Sequence, residues 1–166
     1  MLNVFVSFSE ANTWMVDSLE RMADTLGVFR LYRFDHDPQP GVQLPAKVKD
    51  AIRRADLVLV LLTQAGNAST WVQQEIGIAD ASNRFIVPVV EKGVSVKGIL
   101  EGREHIRLDP SEPASGLVRA ARAMEKLARL RAAKSRAARG QAVAVGVSLV
   151  AVLAGLMGLN GANRKS

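Results

Sequence analysis

The residues with the clearest capacity for chemistry stand in "NASTWVQQEIGIADAS", Asn67 to Ser82. Trp71 and Glu75 are four apart, so on a helix their side chains are neighbours along one stripe. Val72, Ile76 and Ala79 form a second, apolar stripe at helical spacing. Thr70 with Gln73 three residues later fits a capping box, and Ser69 can cap one residue earlier. Two readings of the ring and the carboxylate follow. In one, Trp71 closes the edge of a core and Glu75 is solvated, near the positive end of the helix dipole. In the other, the pair is the flat wall and the acid of a site.

Missing motifs narrow the chemistry. No G-x-G-x-x-G or phosphate-cradling P-loop follows a strand, and there is no G-x-S-x-G. A dinucleotide dehydrogenase or an NTPase of the usual kind is therefore not expected. No second carboxylate is paired with Glu75 by sequence. The chain has no cysteine, which excludes disulfides, thiolate metal sites and cysteine nucleophiles. His36 and His105 lack ligand-like spacing and read as surface or strand-end residues, so no metal is expected.

The elements that must position Trp71 and Glu75 alternate. "NVFVSF" (Asn3–Phe8) reads as a strand. Ala11–Leu26 is an amphipathic helix with Met15, Leu19, Met22 and Leu26 inward, stopped by Gly27. Val28–Phe34 is a second strand. "DHDPQPGVQLP" is a loop, because its prolines and glycine break regular structure. Pro45–Ala55 is a helix beginning at proline, with Val48, Ile52 and Ala55 inward. Asp56–Thr63 is continuously apolar between its two end residues, the mark of a strand buried on both faces. Arg84–Val90 is a fourth strand, in which Pro88 must stand where no ladder bond is needed. His105–Leu108 is a short fifth. From Glu112 onward a basic helix is expected, with a break near Gly140. Strands alternating with helices imply an α/β fold, a parallel sheet covered on both faces. Ligands bind outside the carboxyl ends of such strands. The loops there are Phe8–Asn12, Asp35–Leu44 and Thr63–Ser69, and they converge near the start of the Trp71 helix.

The net charge of +6 hides an asymmetry. Residues 1–118 hold 12 basic and 15 acidic residues, whereas residues 119–166 hold 10 basic residues and only Glu125. Such a tail points to a membrane or nucleic-acid partner, and nothing makes the front part a nucleic-acid binder. Ala142–Leu159 favours the membrane over the alternative of a buried helix, which would need a core around it on all sides: it is 18 residues without a charge, with Ser148 the only polar one. At about 1.5 Å per residue it spans roughly 27 Å, close to a bilayer's hydrocarbon thickness. Small residues recur four apart in it, at Ala142–Gly146, Ala144–Ser148 and Ala151–Gly155, a spacing that lets two helices approach closely. Eight basic residues in 119–139 precede the run, against Arg164 and Lys165 after it. The positive-inside rule places the N-terminal domain in the cytoplasm and makes the protein a single-pass protein of the cytoplasmic membrane.

Taken in order, the motifs resemble those of a bacterial Toll/interleukin-1 receptor (TIR) domain. "VFVSFSEAN" resembles the family's opening strand, with Phe8-Ser9 at its aromatic-Ser pair. "FDHDPQPG" resembles the loop after the second strand, with Asp35, Pro40 and Gly41. "AIRRADLVLVLLTQAGNASTWVQQEI" resembles its most diagnostic block, ending in Ser69-x-Trp71-x-x-x-Glu75. "FIVPVV" resembles its fourth strand. Asn12 stands where the family often has an acidic residue, and the Asp35–Gly41 loop is shorter than usual. The resemblance implies a flavodoxin-like TIR fold with a five-stranded parallel sheet at 1–110. A basic juxtamembrane helix at 111–140, a transmembrane helix at 141–160 and a short tail at 161–166 would follow.

The resemblance also implies a function. Many bacterial TIR domains cleave NAD+ at the nicotinamide–ribose bond, as hydrolases or cyclases, often in antiphage defence. The acid would be Glu75, with Phe8, Ser9, Asp35, Pro40, Gly41, Ser69 and Trp71 around the substrate. NAD+ would be substrate, with no cofactor. Other members are scaffolds that only bind one another, so a membrane-tethered interaction module, self-associating or recruiting another TIR protein, is the alternative. In a third reading the membrane helix is the effector and the TIR domain only senses or assembles.

The basic flank predicts the topology. Protease added outside spheroplasts should leave residues 1–140 intact, and carbonate should not release the chain from membranes. External digestion of the domain would reverse the orientation, and carbonate release would remove the span.

Overall fold

The computed structural model describes residues 1–34 and 46–158, with side chains described up to residue 138. Asp35, Pro40 and Gly41 lie outside the described residues, as does Pro45. Five parallel strands, β1 (Leu2–Ser7), β2 (Phe29–Arg33), β3 (Leu57–Leu62), β4 (Phe85–Glu91) and β5 (Ile106–Leu108), form one sheet in the order β2-β1-β3-β4-β5. The helices are α1 (Thr13–Leu26), α2 (Ala46–Arg54), α3 (Gln64–Ala68), α4 (Thr70–Ala81) and α5 (Pro113–Gly158). The expected α/β architecture is therefore present.

β3 shows why the sheet needs two covers. All six of its residues are buried. Strand side chains alternate between faces. Leu57, Leu59 and Leu61 join a core cluster with residues of α1 and α5. Val58, Val60 and Leu62 join a second cluster with residues of α2 and α4. Each fully buried aliphatic side chain is worth about 1.5–3 kcal/mol, so neither face can be left to water. The β1–β3 ladder is anchored at its start: Asn3 N–H donates to Asp56 Oδ2 at 2.9 Å, and Asp56 N–H donates to the Asn3 carbonyl at 2.8 Å.

Several boundaries follow the sequence pattern. Met15 and Leu19 are buried on α1, and Gly27 ends that helix at φ 64°, its N–H bonded to the Ala23 carbonyl. Pro88 precedes Val89, the first β4 residue paired with β5, so the ladder on that side starts just after the proline.

Two elements differ from expectation. Thr63–Ser69, read as a loop, contains α3. Five residues are too few to show a helical period, and the turn is closed by a side chain: Thr63 Oγ1 accepts from Gly66 N–H at 3.0 Å. The helix expected to break near Gly140 runs through it.

The compact unit also extends past residue 110, through Ala128, and a second unit comprises Arg129–Ser166. Leu117, Ala120, Ala121, Met124 and Ala128 are buried in the cluster shared with α1. The beginning of the segment read as a juxtamembrane helix is thus a wall of the core. Its approach is close at Gly116, where a Cβ would stand 2.6 Å from Leu108 Cδ1 and 3.2 Å from the Arg107 carbonyl oxygen. Among the described residues no helix is long and apolar enough to cross a membrane. The apolar run at 142–159 lies beyond the described side chains.

A fragment of residues 1–110 should therefore show no cooperative urea transition, whereas residues 1–128 should unfold cooperatively. Leu117→Ala should destabilise the longer fragment by about 2–5 kcal/mol. The exposed Arg122→Ala should change it by less than about 0.5 kcal/mol. Equal unfolding of the two fragments would remove α5 from the core.

Candidate active site

Among the described residues the buried polar ones are Ser7, Asn12, Thr63 and Glu75. All four gather at the carboxyl ends of β1 and β3 or on the segments that leave them. The strand order reverses direction between these two strands, with β2 on one side and β4 and β5 on the other. Such a switch point is where open α/β sheets place ligands.

Ser7 reaches the site by parity. Phe5 belongs to the α2/α4 cluster, while Val4 and Val6 belong to the α1/α5 cluster. Ser7, two residues after Phe5, therefore faces α4. Its hydroxyl donates to Glu75 Oε2 at 2.5 Å, a contact buried on both sides. That length lies at the short end of the range of about 2.5–2.7 Å for a hydroxyl donating to a charged oxygen.

α4 fixes the other partner. Its N-cap is Ser69, whose side chain accepts from Val72 N–H, so the cap falls one residue before the Thr70–Gln73 capping box. Gln73 turns to the Asn67 carbonyl instead, at 3.2 Å. Val72, Ile76 and Ala79 are buried as expected, but so are Trp71 and Glu75. Glu75 is 1% exposed, so the solvated reading does not hold. It stands in the second turn, and a helix dipole acts mainly within the first.

A second pair braces the β1 and β3 ends. Thr63 Oγ1 donates to Asn12 Oδ1 at 2.7 Å while accepting from Gly66 N–H. Gly66 permits this turn, because a Cβ there would stand 2.2 Å from the Leu61 carbonyl oxygen.

The remaining expected residues are placed unevenly. Trp71 is buried in the cluster with Phe5, Val48 and Ile52, one helical turn before Glu75. The core-edge role is therefore real, and it leaves the ring beside the carboxylate along α4. Phe8, expected as a second flat surface near Trp71, packs in the other cluster, with Met15 and Val16. Ser9 is half-buried, and its carbonyl accepts from Asn12 N–H at 2.7 Å. Ser7 and Thr63 were missed. Their signal was a hydroxyl inside or at the end of an otherwise apolar strand run, in "VFVSF" and "LVLVLLT".

Fold and site together define a flavodoxin-like α/β domain with, among the described residues, one buried carboxylate at its switch point. The chain belongs to the TIR domain family, whose profile matches residues 4–120. Comparison with curated proteins gives no match. Among solved structures it is similar to a CMP N-glycosidase of Clostridium botulinum, BcmB, at a TM-score of 0.52 and 16% identity, covering 71% of this chain and 96% of that one. It is also similar to the TIR domain of a Toll-related receptor from Hydra magnipapillata, at a TM-score of 0.50 and 17% identity, covering 72% and 97%. At these identities the likeness is one of fold.

The Ser7–Glu75 bond should be visible as coupling. Ser7→Ala should destabilise the protein by about 1–3 kcal/mol, the cost of removing a donor from a buried acceptor. In a Glu75→Leu background the same change should cost less than about 0.5 kcal/mol, as for a pair that no longer interacts. Equal costs in both backgrounds, measured by urea denaturation, would show that the bond does not hold Glu75.

Proposed function

We propose that this protein is a membrane-anchored TIR-domain enzyme that cleaves the nicotinamide–ribose bond of NAD+, with Glu75 as the catalytic carboxylate. One observation carries the reading: a buried carboxylate, held by the Ser7 hydroxyl, at the carboxyl ends of β1 and β3. A hydrophobic residue would fill that space without the desolvation cost of an acid. Keeping an acid there is explained by chemistry that uses it.

The chemistry asks little else of the protein. As the N-glycosidic bond breaks, its electron pair goes to the ring nitrogen, and the cationic pyridinium leaves as neutral nicotinamide. No general acid is required, so one carboxylate suffices. Positive charge develops on the ribose, and a carboxylate stabilises that oxocarbenium character. Water then adds to the anomeric carbon and loses a proton, giving ADP-ribose; attack by a group of the same molecule gives a cyclic product instead. The TIR resemblance supplies NAD+ as the substrate. It also points to Ser9, Ser69 and Trp71, with Asp35, Pro40, Gly41 and Phe8, as substrate contacts. Of these, the Phe8 ring has the weakest support, since it packs in the other cluster. The fold shared with a CMP N-glycosidase is consistent with N-glycosidic chemistry on a nucleotide. The tail at 142–159 supplies the anchor, and membrane-localised NAD+ cleavage suits a role in antiphage defence.

One observation favours the scaffold alternative. At 1% exposure, Glu75 is closed to substrate in the single chain. The enzyme reading therefore requires assembly, with itself or another TIR protein, to open the site.

The test is nicotinamide release by the full chain crowded on vesicles. Glu75→Gln keeps size and removes charge, and should lower the rate by about 100- to 1,000-fold, as for other electrostatic groups. Trp71→Ala should mainly raise KM, with about 3–5 kcal/mol of lost stability from its packing gap. No release by the assembled wild type, or full activity of Glu75→Gln, would leave the scaffold reading.

A further inference from the structure

Among the described residues, the sheet face under α2 and α4 is uncovered at its β2 edge. Strand residues of its core cluster come from β1, β3 and β4 and none from the edge strands β2 and β5. Arg30 and Tyr32, which alternate onto this face of β2, are exposed, Tyr32 by 47%. A groove of about 820 Å³ results, lined by Phe5, Arg30, Tyr32, Lys47, Asp50 and Arg54 among others. A volume of about 300–1,000 Å³ suits a small-molecule site and is far more than a lone anion needs.

Its chemistry is specific. The Phe5 and Tyr32 rings lie 6.0 Å apart between centroids, so Tyr32 is backed by one ring and open to another. Arg30 Nε donates to Asn3 Oδ1 at 2.6 Å, and Asn3 is itself held through its N–H by Asp56. The guanidinium is thus oriented, while its terminal amino groups make no ion pair among the described residues. Lys47 Nζ lies 4.3 Å over the Phe34 ring. Asp50, the groove's carboxylate, is shared between Arg54 at 3.8 Å and Arg53 at 4.0 Å. Three cations, Arg30, Lys47 and Arg54, therefore face one carboxylate in the lining. The groove asks for an anion that also carries an aromatic ring.

We propose that this groove is a second, non-catalytic site for a mononucleotide, with its base on Tyr32 and its phosphate on the Arg30 and Arg54 guanidiniums. Arg30 and Tyr32 are two residues apart on one strand, about 6.6 Å, a separation that a ribose bridges. Guanidinium forks match phosphate oxygens in pairs. The groove shares β1 with the Glu75 site, Phe5 and Ser7 standing on the same face. Its occupancy is nevertheless independent of whether Glu75 cleaves anything.

The test is calorimetric titration of the full chain in detergent micelles with AMP, using adenosine and inorganic phosphate as partial probes. AMP should bind, and each partial probe should bind about tenfold more weakly or worse, since each loses one half of the site. Arg30→Glu should weaken AMP about tenfold or more, as expected for a lost charge-assisted contact. Tyr32→Ala, at an exposed position, gives the same reading independently of Arg30. Glu75→Gln should bind AMP as the wild type does. The proposal is overturned if AMP does not bind, if phosphate alone binds equally well, or if Arg30→Glu and Tyr32→Ala bind as wild type. Loss of AMP binding in Glu75→Gln would place the ligand in the other site. A change of sedimentation coefficient in Arg30→Glu without AMP binding would assign the groove to a second copy of the chain.

Discussion

Glu75 occupies a place where a carboxylate is costly, under a helix and against a sheet, with 1% of its surface exposed. Such a group is tolerated only if the protein supplies what water would have supplied. The Ser7 hydroxyl does so for one of its oxygens, Oε2, at 2.5 Å. That bond requires β1 to present residue 7 to α4 and α4 to present residue 75 to β1. A slip of one residue in β1 would turn Ser7 to the other face and bring Val6 or Phe8 against the acid. The parallel register, in which Ser7 lies opposite Val60 of β3, is therefore tied to the site as well as to the core.

The rest of the switch point serves that placement. Thr63 joins the end of β3 to Asn12 and to Gly66 with one hydroxyl. It thereby closes α3, and Ser69 links α3 to α4 as the last cap of one and the first cap of the other. This short relay sets where α4 starts and so which of its residues point at β1. Asn12, whose side-chain oxygen accepts from Thr63, works here as a brace.

The two faces of the sheet are covered differently. One packs α1 and the beginning of α5 over all five strands, and the other packs α2 and α4 over β1, β3 and β4. Both edges are strands, and among the described residues neither gives a residue to the α2/α4 cluster; Arg30 and Tyr32 of β2 and Arg107 of β5 are exposed on that face. Among the described residues, Arg30 and Lys47 make no ion pair beside the exposed Tyr32. An exposed aromatic ring and an excess of cations over carboxylates then coincide in the described lining of one groove.

Much of this was legible in the chain. Alternating strands and helices, the doubly apolar run of β3, the stop at Gly27 and the Ser-x-Trp-x-x-x-Glu spacing depend on local pattern, and local pattern is what a sequence displays. The apolar run at 142–159 and its basic flank are likewise statements of composition. What the sequence could not display was which partner each side chain meets across the fold. Glu75 read equally well as solvated or as the acid of a site, because burial depends on β1, more than sixty residues away. Phe8 and Trp71 both read as flat surfaces for one ligand, yet the pleat of β1 turns Phe8 into the opposite core. α3 was too short to show a period, and α5 hid its core-facing stripe of alanines among arginines. Helix, strand and charge pattern are set by neighbours along the chain and were determined by the sequence itself. The hydroxyl that meets the carboxylate, the ring that turns away and the bare edge of β2 were decided only when the strands took their register.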